Sequence, residues 1–130
     1  MSLKEVVIDT NFFMVPFQFN VDIITELENL LPSYKLTTPT FVINELKGLK
    51  RNSKGKIRLN ANLALKLVNS SKVEIKDISL LENETVDDAL IRISKVLATN
   101  DADLKNRAKE KGITIVYLRQ KNYIAVDGKI

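Results

Sequence analysis

The sequence contains no cysteine, no histidine and no tryptophan in its 130 residues. Without cysteine there are no disulfide bonds and no thiolate chemistry, and without cysteine and histidine the usual zinc sites are excluded. Histidine is also the side chain that titrates closest to neutral pH, so its absence excludes acid–base catalysis by histidine. Any chemistry must come from Asp, Glu, Lys, Ser, Thr or Tyr, and the natural metals are hard cations that prefer oxygen ligands.

Long apolar runs are also missing. None approaches the roughly 18 residues that span a bilayer, so no membrane partner is expected. The first ten residues lack a basic region followed by an apolar core, so we expect no signal peptide and a cytoplasmic location. The composition is 45% hydrophobic and 28% charged, which is typical of a globular protein. The length suits a single domain over residues 1–130.

Acidic residues are absent from one stretch of the chain. Between Leu46 and Val73 there are eight basic residues and no acid, in a protein of net charge +4. Such a stretch suits a polyanion, and a solvated loop and helix face is the alternative. The six basic residues closest together are Lys47, Lys50, Arg51, Lys54, Lys56 and Arg58.

Short β-prone runs alternate with amphipathic segments along the chain. Strands are predicted at 6–8, 34–39, 72–78, 95–99 and 113–118, and helices at 21–31, 41–49, 57–69, 86–94 and 101–112. Residues 122–126 are expected to add an edge strand or hairpin. This order, β-α-β-α-α-β-α-β-α-β, predicts a parallel sheet with helices on both faces.

Several local features refine that prediction. Residues 12–19 are predicted to form an apolar loop that contains Pro16. The phenylalanines of this loop are expected to make core or dimer contacts rather than to stack on nucleic-acid bases. Asn20 and Thr40 are predicted to cap the helices that follow them. A basic loop from Gly48 to Gly55 is expected to separate two helices.

Six carboxylates fall at predicted strand ends or near helix starts. They are Asp9, Glu45, Asp87, Asp88, Asp101 and Asp103. Each has an ordinary explanation: residues 85–88 fit a capping box, for example, and acids suit the positive end of a helix. Asp9 is the hardest to explain in this way, because a carboxylate that closes a buried strand needs a partner.

Together the acids indicate a metal site. The carboxyl ends of parallel strands meet at one edge of the sheet, which is where open sheets bind ligands. Two carboxylates roughly 5 Å apart repel by about 3 kcal/mol at an effective dielectric constant of 20, so such a cluster calls for a cation. With oxygen ligands only, Mg²⁺ or Mn²⁺ is expected. A carboxylate-bound metal beside a basic patch suggests phosphodiester chemistry.

Four segments carry a resemblance to PIN domains: "VVIDTNFFM", "TPTFVINELKGL", "VDDALIRIS" and "VLATNDADLKNRAKEKGITIVYLR". The sequence looks most like the archaeal branch similar to ribosomal-RNA-processing PIN nucleases, and more distantly like VapC-type toxins. The resemblance implies a three-layer α/β/α sandwich with a central, mainly parallel sheet. It also implies an endoribonuclease dependent on Mg²⁺ or Mn²⁺, acting in rRNA processing or as a toxin-like RNase.

The resemblance also implies roles for single residues. It assigns the family's acids to Asp9, Glu45, Asp88 and Asp101, with Asp103 at a position that is often acidic and Asp87 expected to be a capping partner. The polar positions that line the site are Thr10, Asn11, Thr99 and Asn100. The six clustered basic residues would contact RNA.

Partners follow from the same resemblance. It implies a homodimer or higher homo-oligomer, with residues 12–19 as a candidate surface, and an antitoxin or a ribosome-assembly partner. The main alternative keeps the fold and makes the protein an RNA-binding or assembly module with a weak or inactive acidic site. A haloacid-dehalogenase-type phosphatase is disfavoured, because Asn11 stands where that chemistry needs a second Asp.

Overall fold

The computed structural model describes residues 4–130 and is built around a six-stranded sheet in the order β3-β2-β1-β4-β5-β6. Strands β1 to β5 are parallel, and β6 pairs antiparallel with β5. Both the mainly parallel sheet and the edge hairpin predicted near the end of the chain are therefore confirmed. The strands are β1 (Lys4–Ile8), β2 (Tyr34–Pro39), β3 (Glu74–Lys76), β4 (Val96–Ala98), β5 (Thr114–Arg119) and β6 (Tyr123–Asp127).

Six helices complete the predicted three-layer sandwich. They are α1 (Thr10–Phe19), α2 (Ile23–Leu30), α3 (Thr40–Asn52), α4 (Gly55–Ser70), α5 (Val86–Ile93) and α6 (Ala102–Glu110). Helix α1 contacts α2, α3 and α4, α3 contacts α4, and α5 packs with α6, as expected when right-handed crossovers place the two groups on opposite faces. In the part of the chain described, no helix is both long enough and apolar enough to cross a bilayer.

The two central strands define where a ligand can bind. Val6 and Ile8 on β1 and Leu97 and Ala98 on β4 are buried, because both faces of these strands are covered. From β1 the chain moves outward to β2, whereas from β4 it moves the opposite way to β5. The carboxyl ends of β1 and β4 therefore flank the topological switch point of the sheet, where open α/β sheets bind ligands.

The prediction of an apolar loop over residues 12–19 was wrong. Helix α1 spans Thr10–Phe19 and contains Pro16. Burial of four consecutive apolar residues, Phe12 to Val15, outweighs the backbone hydrogen bond that Pro16 cannot make. This burial confirms the core role expected for Phe12 and Phe13, and it removes most of the apolar surface that was a candidate for self-association.

Three boundary predictions near the helices were also wrong. Asn20 ends α1 in a left-handed conformation (φ 57°), and Asp22 caps α2 instead, because its side chain accepts from the backbone N–H of Thr25. Thr40 is the first residue of α3, and its hydroxyl donates to the carbonyl of Ile78 rather than capping the helix. Helix α3 continues through Gly48 to Asn52, so the predicted basic loop shrinks to residues 53–54.

Candidate active site

Asp9 lies at the switch point and belongs to two elements at once. It follows the last residue of β1, and its backbone N–H donates to the carbonyl of Ala98 on β4 at 3.0 Å. Its carboxylate caps α1 by accepting from the backbone N–H of Thr10 at 2.7 Å, and it accepts a second hydrogen bond from the Thr99 hydroxyl at 2.8 Å. The strand and the helix therefore fix the position of a carboxylate that is only 5% exposed.

The environment of Asp9 disfavours its charged form. Burial raises the pKa of Asp9 from 3.8 to about 7, although the hydrogen bonds from Thr99 and Thr10 oppose the shift. The negative charges of Glu45 and Asp87 raise the pKa of Asp9 further. A carboxylate with this pKa, facing other acids, is a strong candidate for a functional group.

A short chain of hydrogen bonds connects Asp9 to Glu45. Thr10 donates from its hydroxyl to Oε1 of Glu45, which lies on α3, and from its backbone N–H to Asp9. Leu46, the residue after Glu45, is fully buried and anchors this turn of α3 to the core. The structure therefore brings Glu45 to the same edge as Asp9 although 36 residues separate them in the chain.

The segment after β4 is ordered by the polar residues that were expected to line the site. The Thr99 hydroxyl accepts from the backbone N–H of Asp101 at 3.1 Å, and Asp101 caps α6 by accepting from that of Leu104 at 3.1 Å. Asn11 Oδ1 accepts from the backbone N–H of Asn100 at 3.2 Å. Together these contacts hold Asp101 beside the strand end that carries Asp9.

Asp87 and Asp88, at the start of α5, have different surroundings. The Asp88 carboxylate accepts a hydrogen bond from the Arg107 guanidinium at 2.5 Å, which lowers the pKa of the Asp88 carboxyl. The backbone N–H of Asp88 donates to the Thr85 hydroxyl at 3.1 Å. Asp88 is thus the residue of the capping box and is exposed. Partial burial and then the charge of Asp101 raise the pKa of Asp87, Arg107 opposes the shift, and Asp88 and Asp103 add smaller increases. The geometry therefore favours Asp87 over Asp88 as the acid of α5 that faces the site.

The sequence contained a signal for this choice. At about 100° per residue, Asp87 lies roughly 110° from the centre of the predicted buried stripe of α5, and Asp88 roughly 150° from it. Asp88 is therefore on the solvent side of the helix, where Arg107 of the neighbouring α6 reaches it.

The edge carries an excess of negative charge. Among residues 4–130, Asp88 is the only one of its six acids that forms an ion pair. Within the same range, no three carboxylates stand close enough together to hold a metal ion as they are. An acidic sheet edge whose buried carboxylate has no ion-pair partner among residues 4–130 still fits the donor chemistry of Mg²⁺ or Mn²⁺, because Mg²⁺ retains several waters and takes only one or two carboxylates.

The six basic residues of the predicted patch are all exposed and lie mostly on helices. Lys47, Lys50 and Arg51 are on the last part of α3, and Lys54 to Arg58 surround the start of α4. Arg51 is six residues beyond Glu45, or about 9 Å along the axis of α3. The basic helix hairpin formed by residues 47–58 therefore begins next to the acidic edge.

The fold and the positions of the acids together define an α/β protein with an acidic site at the topological switch point of its sheet. The chain belongs to the PIN-like domain family, whose model matches residues 6–121. This range holds all six acids and all six clustered basic residues.

Named relatives support a ribonuclease function. The chain is 29% identical to Ribonuclease VapC4 of Methanocaldococcus jannaschii, over 98% of this chain and 100% of that protein. It is 30% identical to Ribonuclease VapC9 of Archaeoglobus fulgidus, over 93% and 87% of the two chains.

Solved structures share the fold. The PIN domain endonuclease Utp24 superposes with a TM-score of 0.76 at 25% identity, over 97% of this chain and 92% of that one. A domain of a functionally unknown protein from Methanocaldococcus jannaschii superposes with a TM-score of 0.64 at 23% identity, over 98% and 96% of the two chains.

Proposed function

We propose that this protein is an endoribonuclease that depends on Mg²⁺ or Mn²⁺ and hydrolyses phosphodiester bonds in RNA. The observation that carries the proposal is the buried Asp9, whose pKa is raised to about 7 beside the acids Glu45 and Asp87, and among residues 4–130 none of these three forms an ion pair. Neutralisation by a cation would remove this unfavourable charge, so the site is built to be completed by one.

Each acid has a distinct part in this proposal. Asp9 and Asp101 are fixed by hydrogen bonds to the backbone at the starts of α1 and α6, and they would hold the ion together with Asp87. Glu45 and Asp103 would complete the ligand set or help to hold a second ion. Asp88, the residue predicted for this role, is held instead by Arg107.

A divalent ion held by these residues would supply charge neutralisation at the scissile phosphate and a more acidic water. Hydrolysis of the phosphodiester bond would leave a 5′-phosphate and a 3′-hydroxyl. The chain itself contributes rigidity, because Thr10 and Thr99 hold the Asp9 carboxylate in one orientation.

The basic helix hairpin would bind the RNA backbone. Lys50 and Arg51 complement the negative end of the α3 dipole, but Lys54, Lys56 and Arg58 sit at the positive end of α4, where each basic charge costs about 0.3–1 kcal/mol. No side chain caps α4, so its first backbone N–H groups are available. Basic residues placed against a helix dipole indicate that an anion is expected there.

The test is cleavage of single-stranded RNA in the presence of Mn²⁺, with a chelator and Asp9→Asn as controls. We expect cleavage by the wild-type protein, none with the chelator, and at least 100-fold slower cleavage by Asp9→Asn. Undiminished cleavage by the variant would point to a contaminating nuclease or another site.

A second function is supported by one observation. No three carboxylates in the described residues are preassembled for a metal ion, and Thr10 donates a hydrogen bond to Glu45. An RNA-binding or assembly module with a weak or inactive acidic site would show the same arrangement. Mn²⁺ binding measured by calorimetry beside RNA binding separates the two. RNA binding without metal binding would favour the module.

The named relatives also suggest two biological roles. Relatives named Ribonuclease VapC suggest a toxin-like RNase that pairs with an antitoxin, and the fold match to Utp24 suggests rRNA processing with a ribosome-assembly partner. Cleavage compared across ribosomal precursor, messenger and transfer RNAs would choose between them. Self-association stays a prediction, and light scattering on the purified protein measures it.

A further inference from the structure

A cavity lies beside the acidic edge. Its volume is about 350 Å³, at the lower end of the roughly 300–1,000 Å³ typical of small-molecule sites. It is lined by Asn11 and Asn100, which are two residues from Asp9 and one from Asp101 respectively. A group bound in this cavity would therefore lie next to a phosphate at the acidic edge.

Aromatic and basic side chains form the walls. Phe19 at the end of α1 and Tyr117 on β5 are both half-buried at the cavity. The Lys105 ammonium stands 4.6 Å from the centre of the Tyr117 ring, and Lys121 lies at the rim. Within residues 4–130, neither lysine pairs with a carboxylate, so both charges are available to an anion.

Two asparagines present donors of fixed orientation. Asn11 Oδ1 accepts from the backbone of Asn100, and Asn100 Oδ1 accepts from the backbone N–H of Leu118 at 2.8 Å. A backbone N–H can only donate, so the side-chain atom that it contacts in each asparagine must be the amide oxygen. The amide nitrogen of each asparagine takes no part in these contacts. No hydrogen bond among the described residues uses either amide nitrogen. These groups suit the carbonyl and ring-nitrogen acceptors of a nucleobase.

The hairpin that carries Lys121 is strained. Gln120 and Lys121 both have left-handed backbones, with φ of 53° and 56°, and Asn122 closes the turn by donating to the carbonyl of Arg119 at 3.1 Å. This type I′ turn usually contains glycine or asparagine. Non-glycine residues held in such conformations cluster at ligand sites.

We propose that this cavity binds one unpaired base of an RNA substrate, next to the phosphate that is cut. The base would lie against the Tyr117 ring, from which the Lys105 ammonium would move to the adjoining phosphate together with Lys121, while Phe19 forms another wall and the asparagine amides donate to the base. In taking RNA as the ligand, the inference rests on the proposed function. It goes beyond it by requiring a single-stranded base at a fixed distance from the cut.

The test measures binding of short single-stranded RNAs to the full chain in the presence of chelator, so that no cleavage occurs. One set of RNAs has a base removed at each position in turn. We expect one abasic position to weaken wild-type binding by about 10-fold, within the roughly 5- to 150-fold that loss of one stacked base corresponds to. Equal binding of all abasic RNAs would overturn the proposal.

Variants locate the effect. Tyr117→Leu should bind intact RNA about 10-fold more weakly and no longer distinguish it from the abasic RNA, whereas Tyr117→Phe should keep the distinction. A Tyr117→Leu protein that still distinguishes them would contradict the proposal. If that variant does not fold, Lys121→Gln on the exposed hairpin should weaken binding several-fold and reduce its salt dependence, while Lys111→Gln at the far edge should not. Equal effects of the two lysine variants would overturn the assignment.

The proposed function is judged separately, by cleavage of the same RNA with Mn²⁺. Base discrimination without cleavage would refute the ribonuclease and keep the cavity, and cleavage without discrimination would do the reverse.

Discussion

Replacing Asp9 with asparagine should stabilise the metal-free protein, and the gain should grow with pH. With its pKa raised from 3.8 to about 7, the folded state holds a proton on Asp9 that the unfolded state has lost between these two values. Stability is therefore present below pH 3.8 and is lost as pH rises to about 7. The full loss is about 4 kcal/mol, since a tenfold change in a binding constant corresponds to 1.36 kcal/mol.

Asparagine does not titrate, so Asp9→Asn removes the pH-dependent loss of stability, but it also disturbs one hydrogen bond. Its single side-chain oxygen keeps the cap on Thr10, and its amide group then faces the Thr99 hydroxyl, at a cost of about 1 kcal/mol. Asp9→Asn should therefore be about 3 kcal/mol more stable than wild type at pH 8 but only about 0.6 kcal/mol more stable at pH 5, which is little more than one pH unit above 3.8.

Urea unfolding of wild type and Asp9→Asn in the presence of chelator, at pH 5 and at pH 8, measures the difference in their free energies of unfolding at each pH. Asp77→Asn, which removes an exposed carboxylate, is the matched control and should leave the wild-type dependence unchanged. Adding Mn²⁺ at pH 8 should stabilise wild type, by about 2.7 kcal/mol at 100 times its dissociation constant, but not Asp9→Asn. A stability difference that is the same at both pH values would refute the reasoning, because Asp9 would then titrate like an ordinary carboxylate.

Three further predictions follow from the site and the fold. Asp87→Asn should slow Mn²⁺-dependent cleavage of RNA more than Asp88→Asn does, and the reverse order would restore Asp88 to the metal site. Replacing Lys50 and Arg51 with glutamine should reduce the slope of log binding constant against log salt by about 1.4 if both contact phosphates, and an unchanged slope would exclude them. Pro16→Ala should raise the melting temperature, with a gain of about 1 kcal/mol, because α1 regains a backbone donor; a lower melting temperature would show that Pro16 stabilises α1.

The sequence predicts the sheet better than the helix ends. Strand β1 and the position of Asp9 follow from three β-prone apolar residues running into a carboxylate, a local signal. Helix α1 could not be recognised in the same way, because Pro16 signals a break locally. The compensating burial of Phe12 and Phe13 depends on packing against the rest of the chain.

Some features of the site are likewise predictable from local sequence, and others depend on tertiary packing. The carboxyl ends of the strands predict that Asp9 and Asp101 share an edge, and they do. The helical spacing of α5 already places Asp88 further from its buried stripe than Asp87, but the contact between Asp88 and Arg107 depends on where α6 packs, which no local pattern reveals. The hydrogen bond between Thr99 and Asp9 joins residues 90 positions apart, so no local pattern can reveal it.

The chain passes once from one half of the sheet to the other, through residues 77–85, where Leu81 and Glu82 are exposed. The acids proposed for the site are shared between the halves. The first half carries Asp9 and Glu45, and the second carries Asp87, Asp101 and Asp103. A chain cut in this connection would give two fragments that each lack part of the ligand set. Reassembly of the fragments should then become sensitive to divalent cation, and activity should report directly on whether the two halves have joined.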